Sequence, residues 1–210
     1  TFEMWKDTLT KVISYKPDHI ACYTLELEND SYWGKLYKKG KLQSVPDELD
    51  REMYHFAIKK LNESGYEQYE ISNFAKGKNY SKHNLSFWNG VEYLGLGAGA
   101  FSYFESQRFN NVENIEKYMR GVLKDEVFRE GIVHVNKQME MFENIMVGLR
   151  LIKGLDLTNF NKKFNTDFSK IYKQQIRSLQ SKKLISITKD RLKLTPKGID
   201  LLNQVMMEFV

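Results

Sequence analysis

Apolar residues recur at helical spacing through residues 3–15, with Met4, Trp5, Leu9, Val12 and Ile13 on one side, and Pro17-Asp18 ends the pattern. His19 to Leu27 then reads as a strand with both faces apolar (Ile20, Ala21, Cys22, Tyr23, Leu25, Leu27), the pattern of a strand buried in a parallel sheet. Residues 29–46 are polar and aromatic-spotted and predict a long loop. Pro46-Asp47-Glu48-Leu49-Asp50 opens a helix with an acidic first turn, Met53, Phe56, Ala57, Ile58 and Leu61 form its stripe, and Gly65 stops it. Tyr66 to Phe74 predicts the next strand, a loop carries His83, and Tyr93 to Phe104 predicts a third, with a short pairing strand from Arg108. This helix–strand order is that of half an α/β barrel.

Asn114 caps a helix running to Leu123. The character changes near 130–136, where a domain boundary is expected, giving units 1–135 and 136–210. In the second, a helix over Lys137 to Ile152 is stopped by Gly154, and Asp167 caps another running to Leu184. Two short strands, Leu184–Thr188 and Leu192–Thr195, precede a helix whose first turn holds Pro196. Helix, helix, hairpin and helix in that order resemble a winged-helix module. The expected fold class is therefore α/β, a partial (β/α) barrel followed by a small winged-helix-like α+β domain.

Composition narrows the setting. The chain has 210 residues, 41% of them hydrophobic and 13% aromatic, enough for a packed core. No apolar run approaches the ~20 residues of a membrane span, and no signal peptide is visible. One cysteine excludes an internal disulfide framework and fits a reducing, cytoplasmic setting. The net charge of +5 is spread over Lys35–Lys41, Lys76–Lys82 and Lys182–Lys193. Solvated faces account for most of it; nucleic acid, an anionic membrane surface and porphyrin propionates are the alternatives. Lys76, Lys78 and Lys82 lead directly into His83.

The chemistry-bearing stretch is Ser81-Lys82-His83-Asn84-Leu85-Ser86-Phe87-Trp88, followed by Tyr93-Leu94-Gly95-Leu96-Gly97-Ala98-Gly99-Ala100-Phe101-Ser102-Tyr103. A neutral imidazole such as His83 can ligate a metal, haem iron included, and Phe87 and Trp88 can stack on a porphyrin. On the spacing alone, an ordinary loop histidine and a core tryptophan are the better explanation. Gly95-x-Gly97-x-Gly99 runs into a strand-like segment rather than a helix, so a dinucleotide fingerprint is disfavoured.

Three ordered signatures are similar to those of one family. They are Glu70-Ile71-Ser72-Asn73-Phe74-Ala75, His83-Asn84-x-x-Phe87-Trp88, and Tyr93-Leu94-Gly95-Leu96-Gly97-x-Gly99-Ala100-x-Ser102-Tyr103, joined by the ending Leu192-Lys193-Leu194-Thr195-Pro196-Lys197-Gly198. On these the chain resembles the radical S-adenosylmethionine haem chaperones, the oxygen-independent coproporphyrinogen III oxidase-like proteins. The resemblance implies that His83 is the axial ligand of the haem iron, with Asn84 orienting it and Trp88 packing on the porphyrin or anchoring the segment. It implies that Glu26, Gly97 and Phe101 line an S-adenosylmethionine pocket, and that Glu70, Ser72 and Asn73 contact substrate or hold the following loop. For Glu26, a position at the C-terminal end of a barrel strand is independent support; a surface carboxylate is the competing reading.

Departures from the family occur at Phe87, where tyrosine is usual, at Ala98 in place of proline, and at Phe101 in place of histidine. The family's [4Fe–4S] cluster uses three cysteines, and this chain has Cys22 alone. Together with the start at Thr1, this leads to the expectation of a C-terminal half of a longer protein, inactive by itself. The function implied is haem binding and delivery to acceptor proteins, because the oxidases carry arginine at the position of His83. The alternatives are a decarboxylating coproporphyrinogen III oxidase and a winged-helix nucleic-acid-binding module. An exposed barrel edge would favour homo-oligomers.

Overall fold

The computed structural model describes residues 1–126 and 128–210, which divide into two compact units, Thr1–Ser81 and Lys82–Val210. The join expected at 135/136 lies inside the second unit.

In the first unit, α1 (Phe2–Ser14) is capped by Thr1, whose Oγ1 accepts from the Met4 N–H at 3.3 Å. The strand expected over His19 to Leu27 is shorter: β1 covers His19–Ala21. One further ladder-like bond follows, from the Cys22 N–H to the Ser72 carbonyl at 2.7 Å, and then the chain leaves the sheet. The expected loop at 29–46 contains a helix, α2 (Tyr32–Lys38), capped by Ser31. Gly34 is required there, because a Cβ would sit 1.9 Å from the Glu28 carbonyl oxygen. The acidic first turn places Asp47, Glu48 and Asp50 at the positive end of α3 (Asp47–Glu63).

The continuous strand expected over Tyr66 to Phe74 is a hairpin, β2 (Glu67–Gln68) and β3 (Asn73–Ala75), closed by the Tyr69 N–H donating to the Asn73 carbonyl at 3.2 Å. The sheet order is β1-β3-β2 and both pairings are antiparallel, so the parallel sheet read from β1 does not form within this unit. An apolar run buried on both faces does not encode strand direction. Phe74, opposite Ile20 and Gln68, is the centre of a core that also holds Leu9, Cys22, Ala57, Leu61 and Tyr66.

The second unit opens with α4 (Lys82–Trp88), where the sequence predicts a loop. The strand expected from Tyr93 is confined to β4 (Phe101–Phe104), joined to Tyr93 by an isolated bridge between Tyr93 and Tyr103. Gly97 (φ +105°) and Gly99 (φ +69°) break the ladder between. β5 (Gln107–Asn111) follows, then α5 (Ile115–Lys124), capped as expected by Asn114, and β6 (Arg129–His134). The order β4-β5-β6 is antiparallel, with a bulge between Arg108 and Asn110. β6 is invisible to periodicity because all six of its residues are exposed.

α6 (Lys137–Gly148) ends before Ile152: Gly148 lies so close to Leu155 that a Cβ would meet Cδ1 at 2.6 Å. The chain then turns into β7 (Leu155–Asp156) and α7 (Leu157–Phe164), neither of which the apolar pattern announces. The single helix expected from Asp167 is two, α8 (Phe168–Ile171) and α9 (Lys173–Ser181), parted at Tyr172. Tyr172 leaves helical geometry to pack against Phe168 and Phe209, at 4.8 and 5.4 Å. The hairpin of β8 (Ile185–Ile187) and β9 (Arg191–Leu194) completes a β7-β9-β8 sheet. Thr195 caps α10 (Pro196–Asp200), and α11 (Leu202–Met207) closes the unit. The helices, hairpin and final helix give the winged-helix-like arrangement expected.

Phe168 is fully buried, with ring contacts to Phe160, Tyr172 and Phe209. Phe168→Ala should lower stability by about 3–5 kcal/mol, read as a reduced midpoint in urea denaturation followed by circular dichroism.

Candidate functional site

Helical geometry decides which motif side chains share a face. His83 and Phe87, four residues apart, stand together with ring centroids at 4.9 Å and planes at 89°. Phe87 meets Tyr93 edge-on at 4.7 Å, and Tyr93 exchanges backbone hydrogen bonds with Tyr103 at 2.8 and 2.9 Å. This line of rings ties the imidazole to the glycine-rich segment and uses no hydroxyl on Phe87, so the missing tyrosine oxygen costs it nothing. His83 is exposed, and Asn84 is half-buried on the neighbouring face.

Trp88 lies about 140° around the helix from His83. Its indole Nε1 is sealed from solvent with no hydrogen-bond partner among the described residues, and the Arg150 guanidinium sits 5.4 Å over the ring. Of the two roles open to Trp88, these contacts favour anchoring α4.

The glycine run is held by side chains that sequence reasoning missed. Asn111 donates from Nδ2 to the carbonyls of Gly95 (3.1 Å) and Gly97 (2.8 Å). The Gly97 N–H donates to the Tyr118 hydroxyl at 3.1 Å, and the Gly95 N–H to Ser102 Oγ at 3.0 Å. Ser102 and Asn111 are both buried, yet the sequence assigned neither a role, although Ser102 falls within the quoted signature. Gly95 admits no side chain, since a Cβ would fall 2.2 Å from the Phe101 carbonyl oxygen. Phe101 itself is 62% exposed on β4. Burial, and the hydrogen bond that its hydroxyl donates to the Glu140 carboxylate, push the Tyr103 phenol up to about 12, so at neutral pH it is a donor, not a base.

In the first unit, Glu70 and Asn73 are 1% exposed and joined by a hydrogen bond from Asn73 Nδ2 to the Glu70 carboxylate. The same amide donates to the Tyr23 hydroxyl at 3.0 Å, while Asn73 Oδ1 has no partner among the described residues. Ser72 is half-buried and takes part through its backbone carbonyl. Glu26 is exposed in irregular chain beyond β1, so the strand-end support for it does not hold. The sequence signal for Tyr23, a tyrosine in an apolar run, pointed to core packing.

Whether these residues fit the groups the family uses can be tested on their chemistry. A [4Fe–4S] cluster needs thiolates. Burial pushes the Cys22 thiol to about 11, keeping it protonated at neutral pH, and no cluster of three or more metal-ligating side chains occurs among the described residues. Such a cluster does not fit here. His83, exposed and with its ring held edge-on, does fit the role of axial haem ligand.

The HemN C-terminal domain family model matches residues 135–201. The heme chaperone HemW of Lactococcus lactis subsp. lactis (strain IL1403) is 32% identical over 210 residues, covering 100% of this chain and 55% of the relative. The heme chaperone HemW of Bacillus subtilis (strain 168) is 30% identical over 211 residues, again covering 100% and 55%. The chain thus spans about half the length of these relatives. Among solved structures, coproporphyrinogen III oxidase (HemN) from Escherichia coli, a radical SAM enzyme, matches with a TM-score of 0.73. That match covers 100% of this chain and 51% of the other at 16% identity, which shows the fold.

The architecture is therefore that of the C-terminal part of a radical SAM enzyme. Along its whole length the chain is similar to the HemW heme chaperones, and over residues 135–201 to the HemN C-terminal domain.

Because the Cys22 thiol titrates near 11 rather than 9.0, its thiolate fraction at pH 8 should be about 100-fold below that of a free thiol. Iodoacetamide should therefore modify the native chain far more slowly than the urea-unfolded chain. The native rate should climb as pH rises towards 11.

Proposed function

We propose that the chain binds haem for a radical SAM haem chaperone, with His83 as axial ligand to the iron, and passes the haem to acceptor proteins. The observation that carries this reading is the exposed imidazole at the start of α4, held edge-on by Phe87. Asn84 orients the ligand's helix, and Trp88 anchors it beneath Arg150. Lys82, the exposed residue preceding His83 on α4, suits a propionate. The likeness to HemW chaperones over the whole chain supports the same reading.

Glu26, Gly97 and Phe101 are proposed to face S-adenosylmethionine, which in such proteins supplies radical chemistry when bound at a cluster. Glu70, Ser72 and Asn73 hold the segment leading to α4; the buried bond between Glu70 and Asn73 supports that role. The cluster's thiolates are not supplied by this chain, whose one cysteine is Cys22. The functional division is proposed at 1–135 and 136–210. The setting is proposed to be cytoplasmic, with contact to an anionic membrane surface during delivery and with self-association; no helix among the described residues is long and apolar enough to cross a membrane.

The fold match to coproporphyrinogen III oxidase favours a second reading, decarboxylation of porphyrinogen propionates. Histidine rather than arginine at position 83 weighs against it. Nucleic-acid binding by the hairpin is disfavoured by its charge partners: Arg191 is paired with Asp156 at 2.9 Å, and Lys182 with Glu208.

Haemin titrated into the chain should produce a saturable, shifted Soret band, and His83→Ala should weaken binding at least about tenfold, as loss of an iron ligand requires. Identical titrations of the two proteins would sink the axial-ligand role. Retardation of duplex DNA without a Soret shift would transfer the function to the winged-helix module.

A further inference from the structure

The first unit holds a cavity that the haem reading does not use. A cavity of about 560 Å³ opens between α1, α3 and the irregular chain on either side of α2. That volume is in the range of sites for small organic ligands. Its walls are aromatic, with Trp5, Tyr23, Trp33 and Tyr54, and its charged lining residues are Asp47 and Asp50; no lining residue is basic.

Three of the four rings are fastened by their polar ends. Trp5 Nε1 donates to the Met53 carbonyl at 3.0 Å, the Tyr54 hydroxyl donates to the Ile71 carbonyl at 2.9 Å, and the Tyr23 hydroxyl accepts from Asn73 at 3.0 Å. Each polar end is tied to protein, so a guest meets ring surfaces already in place and little ordering cost remains. Trp33 and Tyr23 are nevertheless 55% and 63% exposed. Large rings left in water around a concave site mark a surface that something covers.

The charge pattern selects the occupant. Both carboxylates lie in the first turn of α3, and Asp50 accepts from Thr24 at 3.3 Å, which holds it beside the Tyr23 segment. Two carboxylates among aromatic rings attract a cation by Coulomb and cation–π terms together and repel an anion. The local sign is opposite to that of the whole chain, whose net charge is +5. We propose that this cavity binds an organic cation with a flat aromatic or bulky apolar body. The carboxylate side chains of haem make it a poor guest there.

The test is a pair of titrations of the chain at fixed ionic strength, one with thioflavin T, a planar aromatic cation, and one with 8-anilinonaphthalene-1-sulfonate, an apolar anion. Dye fluorescence and tryptophan quenching are the readouts. The expected result is saturable binding of one thioflavin T per chain, tighter than the anion's. Asp47→Asn with Asp50→Asn should weaken it about tenfold. Because both positions support the start of α3, a second variant is needed: Val45→Lys adds a cation at the 48% exposed rim and should weaken binding by a similar factor without disturbing the helix. Unchanged thioflavin T affinity in folded Val45→Lys overturns the proposal, as does preference for the anion. His83→Ala should leave the dye titration unaltered, which separates this site from the haem reading.

Discussion

A glycine-rich segment that makes no regular ladder leaves backbone carbonyls without partners, and a buried carbonyl without a donor is costly. In the second unit the side chain of Asn111 meets that demand at two places at once, donating to Gly95 and Gly97. Ser102 and Tyr118 accept from the N–H groups of the same two glycines. With the run fixed in this way, Tyr93 reaches Tyr103, Phe87 packs on Tyr93, and His83 stands against Phe87. The position of the candidate ligand is thus set by an amide on β5, remote from it in sequence.

The first unit uses polar burial differently. Glu70, Asn73 and Tyr23 form a hydrogen-bonded group at the turn of the β2–β3 hairpin, where two of the three side chains are almost fully buried. Burying a carboxylate is tolerated only with good partners. The group therefore constrains the chain on both sides: it holds the hairpin's turn and pins one aromatic wall of the cavity. The remaining walls are pinned by bonds from Trp5 and Tyr54 to backbone carbonyls. Rigid walls with carboxylates at one side make a site whose charge preference is opposite to that of the chain as a whole.

Much of the candidate site was legible because its residues are consecutive. The motif around His83 and the glycine run can be read as text, and the family likeness covers the whole chain at 30–32% identity. Caps were equally legible: Asn114, Asp167, Pro196 in the first turn of its helix, and the acidic turn after Pro46 all act where their chemistry predicts. Such signals are local, since a cap needs only the next three residues. Ser102 and Asn111 were missed because their partners lie far along the chain, and nothing in a single polar residue states which carbonyl it will reach.

Hydrophobic periodicity, capping residues and short motifs belong to the sequence alone, and they determined the existence of most helices, the winged-helix-like ending and the identity of the candidate haem ligand. Tertiary structure decided the rest. It chose antiparallel pairing for β1, because an apolar run does not specify direction. It folded the segment over Tyr66 to Phe74 into a hairpin and turned the expected loop at His83 into α4, giving His83 and Trp88 different faces. It parted α8 from α9 at Tyr172, whose ring packs on Phe168 and Phe209. In each case the outcome rests on contacts between residues distant in the chain, whose free energy outweighs the local preference.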